Sequence, residues 1–383
     1  MTFPGPAWAE GGWDRARALV LAHGWNAVAY QILNPGIAHW FDPAGDAVIG
    51  YARHGRTRVV AGAPVCAAPR LAAVAATFAA DAHRAGERVL YFGAGERLER
   101  HYAGRGDHAL VALGAQPWWD PARWAPRVQE HRSLRAQLQR ARNKRVRVTE
   151  WPASVAAGHP ELRAVLARWL AGRGLPPLHF LVEPHTLDCL ADRRVFVAAR
   201  DDEAGGRVVA FLVATPIPAR RAWLLEQWPR LREAPNGTVE LLVDAAVRAL
   251  AAAGAEAVTM GLAPLSRRAP VARLPGGRPP PPWLGLALGW ARAHGRRFYD
   301  FDGLDAFKAK FRPESWEPIY AVAEGSRFPP AALWAVAGVF GGGSPLALAR
   351  RAGAMAVRAE LARLRERLED GWSRRRSSGT PAA

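Results

Sequence analysis

The spacing of apolar and polar positions predicts alternating helices and short strands in the first part of the chain. Apolar residues recur at helical intervals over residues 14–35, and an alanine-rich helix is predicted over Leu71–Ala85. A polar and strongly basic helix is predicted over Glu130–Arg145. Strands are predicted in the segments IAHWF, AVIGYARHG, TRVVAGAPV, RVLYFGA, HALVALGAQPWWD and VRVTEW. This mixture indicates a first α/β unit.

The second part of the chain has a clearer order of elements. A helix over Glu161–Gly172 precedes three strands, and a helix over Thr238–Ala253 precedes a fourth strand and a helix over Leu284–His294. The four strands are RRVFVAARD, GRVVAFLVATPI, RAWLLEQWPR and AEAVTMGLAPL. This order is similar to that of GNAT-type acyltransferases, and the first unit follows a looser version of it. The expected fold class is therefore α/β (α+β), with tandem GNAT-like units at residues 14–155 and 156–326.

The chain becomes basic and amphipathic after the second unit. Residues 327–370 are expected to form a helical C-terminal region that contains a basic amphipathic helix over Leu346–Arg367, and residues 371–383 a disordered tail. A basic amphipathic helix binds either anionic lipid or a protein partner. The apolar segment Phe328–Phe340 is too short to span a bilayer, so it is either interfacial or packed on the protein.

The charge of the chain points to a polyanionic partner. The formal net charge is +18 and the pI is about 11.2, which favours binding to nucleic acid, to an anionic membrane surface, or to both. Cys66 and Cys189 lack metal-ligand spacing and indicate a reducing compartment. With no apolar signal core at the N-terminus, the expected location is cytoplasmic, peripheral at the inner face of the membrane.

Lysine is rare in this chain and concentrated in one segment. Of 52 basic residues only Lys144, Lys308 and Lys310 are lysines, and the last two lie in Phe301–Tyr320. A lysine kept in an arginine-rich chain suggests that a compact ammonium group is required. The alternative is that two rare residues fall together by chance, but the aromatic residues around them favour a site. These are Phe307, Phe311, Trp316 and Tyr320.

Two further positions carry candidate chemistry in the second unit. Glu240 falls in the first turn of the helix that follows the loop REAPNGT, where a carboxylate is also common for structural reasons. That loop has one glycine and a proline, too few free N–H groups to cradle a pyrophosphate, so coenzyme A is not expected as donor and no cofactor is predicted. Ser266 and Arg267 follow a predicted strand, where ligand crevices form in α/β sheets, although an ordinary basic loop explains them equally well.

The basic helix offers a dense positive stripe. Its cations are either a solvated helix face or a phosphate-binding surface, and the net charge favours the second. The candidate phosphate-binding residues are Arg132, Arg135, Arg140, Arg142, Lys144 and Arg145. The histidines show no paired ligand spacing, so no metal site is predicted.

Five segments together resemble the cytosolic domain of the lysyl- and alanyl-phosphatidylglycerol synthases. They are YQILNPGIAHWFDPAGDAVIGYARHGRTRVVAGAPV, HRSLRAQLQRARN, APNGTVELLVDAAV, MGLAPLS and LDAFKAKFRPESWEPIY, and the resemblance covers residues 25–325. It implies two tandem GNAT-like folds that move an aminoacyl group from aminoacyl-tRNA to the glycerol hydroxyl of phosphatidylglycerol. By position, Glu240, Arg267 and Lys308 or Lys310 are similar to that family's functional glutamate, arginine and lysine. Membrane-bound members carry transmembrane helices ahead of this domain and this sequence has none, which leaves the acceptor open.

The expected reaction is an ester exchange in which a lysine or Arg267 stabilises the oxyanion. The alternative is that these cations hold the lipid phosphate or the tRNA terminus. Glu240 is expected to bind the donor's α-ammonium group rather than act as a base, because a helix N-terminus stabilises the carboxylate. If the lysine segment is helical, residues two apart diverge, so one lysine serves the reaction, with Lys308 favoured over Lys310. The basic helix would hold tRNA phosphates. The alternatives are a tRNA-dependent transferase with a non-lipid or sterol acceptor, and a non-catalytic nucleic-acid- or membrane-binding protein.

Overall fold

Two strand–helix–strand crossovers organise the structure, a computed structural model that describes residues 11–173, 178–202, 205–269, 283–285, 300–344 and 350. The described helices are α1 Gly12–His23, α2 Leu71–Arg84, α3 Glu96–Tyr102, α4 Trp124–Glu130, α5 Arg132–Asn143, α6 Ala153–Gly158, α7 Pro160–Ala171, α8 Thr238–Ala252, α9 Phe301–Ala309 and α10 Pro330–Phe340. The described strands are β1 Ala38–Phe41, β2 Val48–His54, β3 Thr57–Ala61, β4 Arg88–Ala94, β5 His108–Trp119, β6 Val146–Trp151, β7 Arg194–Asp202, β8 Gly205–Ile217, β9 Ala222–Gln227, β10 Ala257–Thr259, β11 Ala263–Pro264 and β12 Ser315–Glu324.

The same sequence of elements occurs twice. Strands β1, β2 and β3 pair antiparallel, α2 follows, and β4 pairs parallel to β3. Strands β7, β8 and β9 also pair antiparallel, α8 follows, and β10 pairs parallel to β9. This repetition confirms the expected α/β fold with two GNAT-like units.

The two units exchange their central strands. The sheet runs β1-β2-β3-β4-β12-β5-β10-β9-β8-β7-β6, with β11 paired to β5. Strand β12, from the second unit, lies between β4 and β5, and β5, from the first unit, pairs with β10 of the second. The two halves therefore share one continuous sheet, while the predicted boundary near residue 155 stays a prediction.

Helix α8 is the best-buried helix near the centre of the second unit. Ten of its 15 residues are buried, so the helix is held on most sides and its first turn has little freedom to move. Its core neighbours include Trp119, Trp124, Leu138 and Phe311, which come from both halves of the chain.

The helix predicted over residues 14–35 ends early. Helix α1 stops at His23, because the chain leaves the helical conformation at Gly24, whose φ and ψ are −61° and 97°. A Cβ at this position would lie 2.5 Å from the Val20 carbonyl oxygen, so glycine is required. A separate 3-10 helix, Ala29–Leu33, follows.

Two other predicted elements differ in the structure. The basic helix predicted over Glu130–Arg145 is α5, two residues shorter at each end, and the extended backbone of His131 (φ −97°, ψ 91°) separates its start from α4. The single strand predicted in AEAVTMGLAPL is divided into β10 and β11 by Gly261, which has a φ of 71°. This left-handed turn favours glycine and reorients the backbone just beyond β10.

The predicted helices over Leu284–His294 and Leu346–Arg367 lie largely outside the described residues. The predicted tail 371–383 lies entirely outside them. In the described ranges, no helix combines the length and the apolar character needed to cross a bilayer.

Candidate active site

The candidate site lies at the carboxyl ends of the parallel strands β9 and β10. Parallel strand ends meet at one edge of a sheet, where ligand crevices form in α/β folds. Helix α8 begins close to this edge and presents Glu240 in its first turn. Helix α9 and the two residues that follow it bring Lys308 and Lys310 to the same region, as their contacts show.

Glu240 and Lys310 form an ion pair at this edge. The Lys310 Nζ atom donates to Glu240 Oε1, and the two side chains are 35% and 11% exposed, respectively. The ammonium group also lies 4.3 Å from the centroid of the Phe307 ring and 5.5 Å from that of Phe311. Lys310 is thus held by a carboxylate and two aromatic rings while one side remains accessible to solvent.

Lys308 has a different environment. Its side chain is buried, and its Nζ atom donates to the carbonyl oxygens of Gly261 at 2.9 Å and Leu262 at 2.7 Å. Burial lowers the pKa of Lys308 from 10.5 to about 7, and the nearby carboxylate of Asp305 opposes this shift. Lys308 therefore ties α9 to the backbone turn after β10 and does not face the open crevice.

The arginine that reaches α9 is Arg268. Its Nε atom donates to Asp305 Oδ2 at 2.7 Å, and the Ser266 hydroxyl donates to Asp305 Oδ1 at 2.5 Å. The Arg268 guanidinium also lies 5.5 Å from the Trp316 ring centroid. Arg267, the arginine named from the sequence, is exposed beside it. Asp305 thus brings Ser266 and Arg268 against the lysine helix, and a role for Arg267 stays a prediction.

An aromatic wall supports the lysine pair. Trp228, directly after β9, stacks on Phe307 at a centroid distance of 5.7 Å, and Phe307 contacts Phe311 at 5.3 Å. Phe311 in turn stacks on Trp124 at 5.9 Å, and its carbonyl accepts a 2.9 Å hydrogen bond from Trp119 Nε1. Sequence reasoning missed Trp228, whose only signal was its position at the end of the segment RAWLLEQWPR.

The basic helix α5 rests directly on the start of α8. Gly237, which precedes α8, has a φ of 93°, and a Cβ there would lie 2.1 Å from the Gln137 carbonyl oxygen of α5. The close approach therefore requires glycine. The six candidate phosphate-binding side chains of this region are all exposed: Arg132, Arg135, Arg140, Arg142, Lys144 and Arg145.

An open groove of about 1010 Å³ runs between α8 and the end of α5, with Arg142, Arg145 and Arg248 in its lining. The buried carboxylate of Asp244 organises it. Asp244 accepts from Arg248 Nε at 2.9 Å, from Arg142 Nη2 at 3.5 Å and from Trp124 Nε1 at 3.0 Å. Because Asp244 is four residues after Glu240, the two carboxylates share one face of α8, about 6 Å apart along its axis. The basic groove and the Glu240–Lys310 pair therefore follow one another on the same helix.

Polar groups at the start of α8 donate hydrogen bonds to the loop that precedes it. The backbone N–H of Thr238 donates to the Pro235 carbonyl at 3.1 Å, and the Thr238 hydroxyl donates to the same oxygen at 2.6 Å. These donors are unavailable to a ligand phosphate. In the part of the chain that the structure describes, no three His, Cys, Asp or Glu side chains are grouped as metal ligands would be.

Solved structures share this fold. The C-terminal domain of a protein assigned as a lysylphosphatidylglycerol synthetase from Agrobacterium fabrum is 24% identical, with a TM-score of 0.71 over 87% of this chain and 98% of that one. The L-PGS structure from Bacillus licheniformis is 20% identical, with a TM-score of 0.68 over 88% of this chain and 97% of that one. A conserved protein of unknown function from Bacteroides thetaiotaomicron is 12% identical, with a TM-score of 0.57 over 84% of this chain and all of that one.

The family assignment rests on the sequence. No curated protein sequence matches the chain significantly. The family model for the C-terminal domain of phosphatidylglycerol lysyltransferase matches residues 17–323, which is most of the chain. The family and the fold indicate a transferase. The chain therefore belongs to the phosphatidylglycerol lysyltransferase C-terminal family, a family of lipid aminoacyltransferases.

Proposed function

We propose that the protein transfers an aminoacyl group from aminoacyl-tRNA to the glycerol hydroxyl of phosphatidylglycerol, without a metal or a bound cofactor. The observation that carries the proposal is the position of the Glu240–Lys310 pair beside a basic groove on one face of α8. A polyanionic donor bound in that groove would deliver its reactive end to the pair.

The groove suits tRNA phosphates. Exposed arginines of α5 lie next to Arg142 and Arg248, whose guanidinium groups Asp244 orients. Guanidinium groups bind phosphate oxygens in pairs of hydrogen bonds. The loop before α8, by contrast, uses its donors internally, which supports a donor other than coenzyme A.

Glu240 would bind the α-ammonium group of the aminoacyl ester. In the free protein the Lys310 ammonium occupies this carboxylate. When the substrate ammonium replaces it, Lys310 becomes free to turn toward the ester carbonyl. One pre-positioned cation of this kind stabilises an oxyanion by about 3 kcal/mol or more.

The reaction then proceeds as an ester exchange. A glycerol hydroxyl oxygen attacks the carbonyl carbon and forms a tetrahedral intermediate, whose oxyanion Lys310 stabilises. The bond to the ribose oxygen of the tRNA then breaks, and that oxygen takes up the proton lost by the attacking hydroxyl. Because the donor ester is already activated, positioning and charge stabilisation are the protein's main contributions.

Because Lys310 is accessible to solvent, we assign the contact with substrate to Lys310 in place of Lys308, which the sequence favoured. The Lys308 amine donates to two backbone carbonyls, which supports a role in positioning the end of α9. Arg267 is a candidate for the lipid phosphate or the tRNA end, because its side chain is exposed and it directly precedes Arg268, which contacts Asp305 of α9.

The test is a transfer assay with purified protein, vesicles that contain phosphatidylglycerol, and each of the twenty charged tRNAs with a labelled amino acid. We expect labelled aminoacyl lipid with at least one of them. Lys310→Ala should reduce turnover about 100-fold, as expected for loss of one oxyanion-stabilising group.

Arg221→Ala is the matched control, because Arg221 forms an exposed ion pair with Glu256 at the opposite, amino end of β9. Full turnover by Lys310→Ala would contradict the assigned role. The absence of labelled lipid with every charged tRNA would refute the lipid acceptor. Cleavage of the aminoacyl ester only when a non-lipid or sterol acceptor is added would support the alternative transferase.

A further inference from the structure

Helix α10 combines a packed face with an exposed apolar face. Ala332, Ala335 and Val339 are buried against the sheet of the first unit. Leu333 and Trp334 lie on the outer face and are 40% and 51% exposed. Large exposed apolar side chains that are adjacent on one helix indicate an interaction surface.

The helix is rigidly seated beneath that outer face. A Cβ at Gly338 would lie 2.2 Å from the ring of His54, so the helix and the β2–β3 hairpin are in direct contact. At its C-terminal end, the Phe340 ring lies 5.2 Å from Phe92 of β4 and 5.5 Å from Phe180. Leu333 and Trp334 are therefore presented by a fixed support.

A chain of contacts links α10 to the candidate site. The His179 N–H donates to the Phe340 carbonyl at 3.2 Å, and the Glu183 carbonyl, four residues later, accepts from Gln227 Nε2 at 2.7 Å. Gln227 is the last residue of β9. Val182, within this connecting segment, is 43% exposed. Among the described residues, three of the four exposed large apolar side chains thus lie on α10 or on its link to the site edge.

A positive charge lies close to the start of α10. Arg327, three residues before the helix, is exposed and forms no ion pair with a carboxylate in the described ranges. Tryptophan and leucine flanked by arginine match a bilayer boundary, where the apolar groups enter the acyl region and the cations contact lipid phosphates.

A protein partner fits this surface less well. A specific protein interface engages about 20 to 30 residues on each side, and this surface offers two large apolar side chains, Leu333 and Trp334. A membrane needs only a few inserted side chains, because electrostatic attraction to anionic lipid supplies the rest. The net charge of +18 provides that attraction.

We infer that α10 docks the protein on an anionic phospholipid bilayer, with Leu333 and Trp334 inserted at the acyl boundary. The purpose of this docking rests on the proposed function, because a docked protein would reach its lipid acceptor in the bilayer. The docking itself is independent of catalysis.

The test is co-sedimentation of the full chain with vesicles of phosphatidylglycerol and phosphatidylcholine, compared with vesicles of phosphatidylcholine alone. The double variant Leu333→Ser/Trp334→Ser should bind the anionic vesicles at least about tenfold more weakly, because the insertion of both side chains is lost. Val155→Ser is the matched control, since Val155 is 50% exposed on α6, away from this surface. It should bind as the unmodified chain does.

A second assay separates docking from catalysis. Transfer to a short-chain phosphatidylglycerol dispersed below its micelle concentration should be unchanged in the double variant, while transfer to vesicles falls. Loss of vesicle binding in the double variant would support the inference even if the unmodified chain transferred nothing, in which case only the proposed function fails. Unchanged vesicle binding by the double variant, or an equal loss in Val155→Ser, would overturn it.

Discussion

Lys308→Met tests whether the burial of the Lys308 ammonium group, which holds α9 in place, has a large electrostatic cost in unfolding free energy. The pKa of Lys308 falls from 10.5 to about 7 on burial, which corresponds to about 5 kcal/mol at roughly 1.4 kcal/mol per pKa unit. Methionine has a similar length and no charge, so the substitution removes this cost. It also leaves the Gly261 and Leu262 carbonyls without their donor, at about 1–3 kcal/mol each. The two effects oppose each other at neutral pH, but only one of them depends on pH.

The sign of the pH dependence follows from proton binding. Because the pKa is lower in the folded protein, the unfolded chain binds more protons at Lys308 between about pH 7 and 10.5. The full cost is therefore present below about pH 7 and disappears as the pH rises toward 10.5. Relative to Lys308→Met, the unmodified protein should gain about 2 kcal/mol of unfolding free energy between pH 7 and pH 9.

The assay is urea denaturation followed by tryptophan fluorescence at several pH values from 6 to 9.5. The quantity of interest is the difference in unfolding free energy between the two proteins. Lys144→Met, at the exposed end of α5, controls for the change in net charge. A difference that stays constant from pH 7 to 9 would refute the account of Lys308 as a buried, readily deprotonated amine.

Three further substitutions test the rest of the site. Gly237→Ala should destabilise the fold by more than about 2 kcal/mol, because the left-handed backbone and the 2.1 Å approach of a Cβ to the Gln137 carbonyl both oppose it. Urea denaturation measures this loss, and a change below about 0.5 kcal/mol would contradict the contact. Asp244→Asn should weaken tRNA binding several-fold and reduce its salt dependence, measured by filter binding from 50 to 200 mM salt, because two groove arginines lose their anchoring carboxylate. Arg268→Ala should disturb the α9 region and lower the melting temperature by a few degrees, whereas Arg267→Ala should leave the melting temperature unchanged. Thermal denaturation of both variants measures this, and equal melting temperatures would contradict the difference in their contacts.

The local features of the site were predictable from the sequence. The lysine segment was expected to place its two lysines in different directions if it were helical, and this is confirmed: Lys308 contacts backbone carbonyls and Lys310 contacts Glu240. The position of Glu240 in the first turn of its helix is confirmed as well. These features follow from helical periodicity and capping preferences, which act over a few residues.

The choice between the lysines was not predictable in the same way. Whether Lys308 or Lys310 is buried depends on how α9 packs against the turn after β10, and that turn depends on Gly261. The sequence pattern predicted an unbroken strand there. Such packing arises between segments more than forty residues apart, so no local period encodes it.

The exchange of β5 and β12 sets the order in which the site can be assembled. Strand β12 begins five residues after Lys310, and it is held by strands of the other half. During synthesis from the N-terminus, β4 and β5 leave the ribosome some 200 residues before β12. Until β12 arrives, both of them lack a neighbour on one side and offer an unpaired edge to other chains. Substitutions near the C-terminus that slow the insertion of β12 should therefore cause aggregation of the nascent protein as their first effect. Neither half should form a working site when it is produced alone.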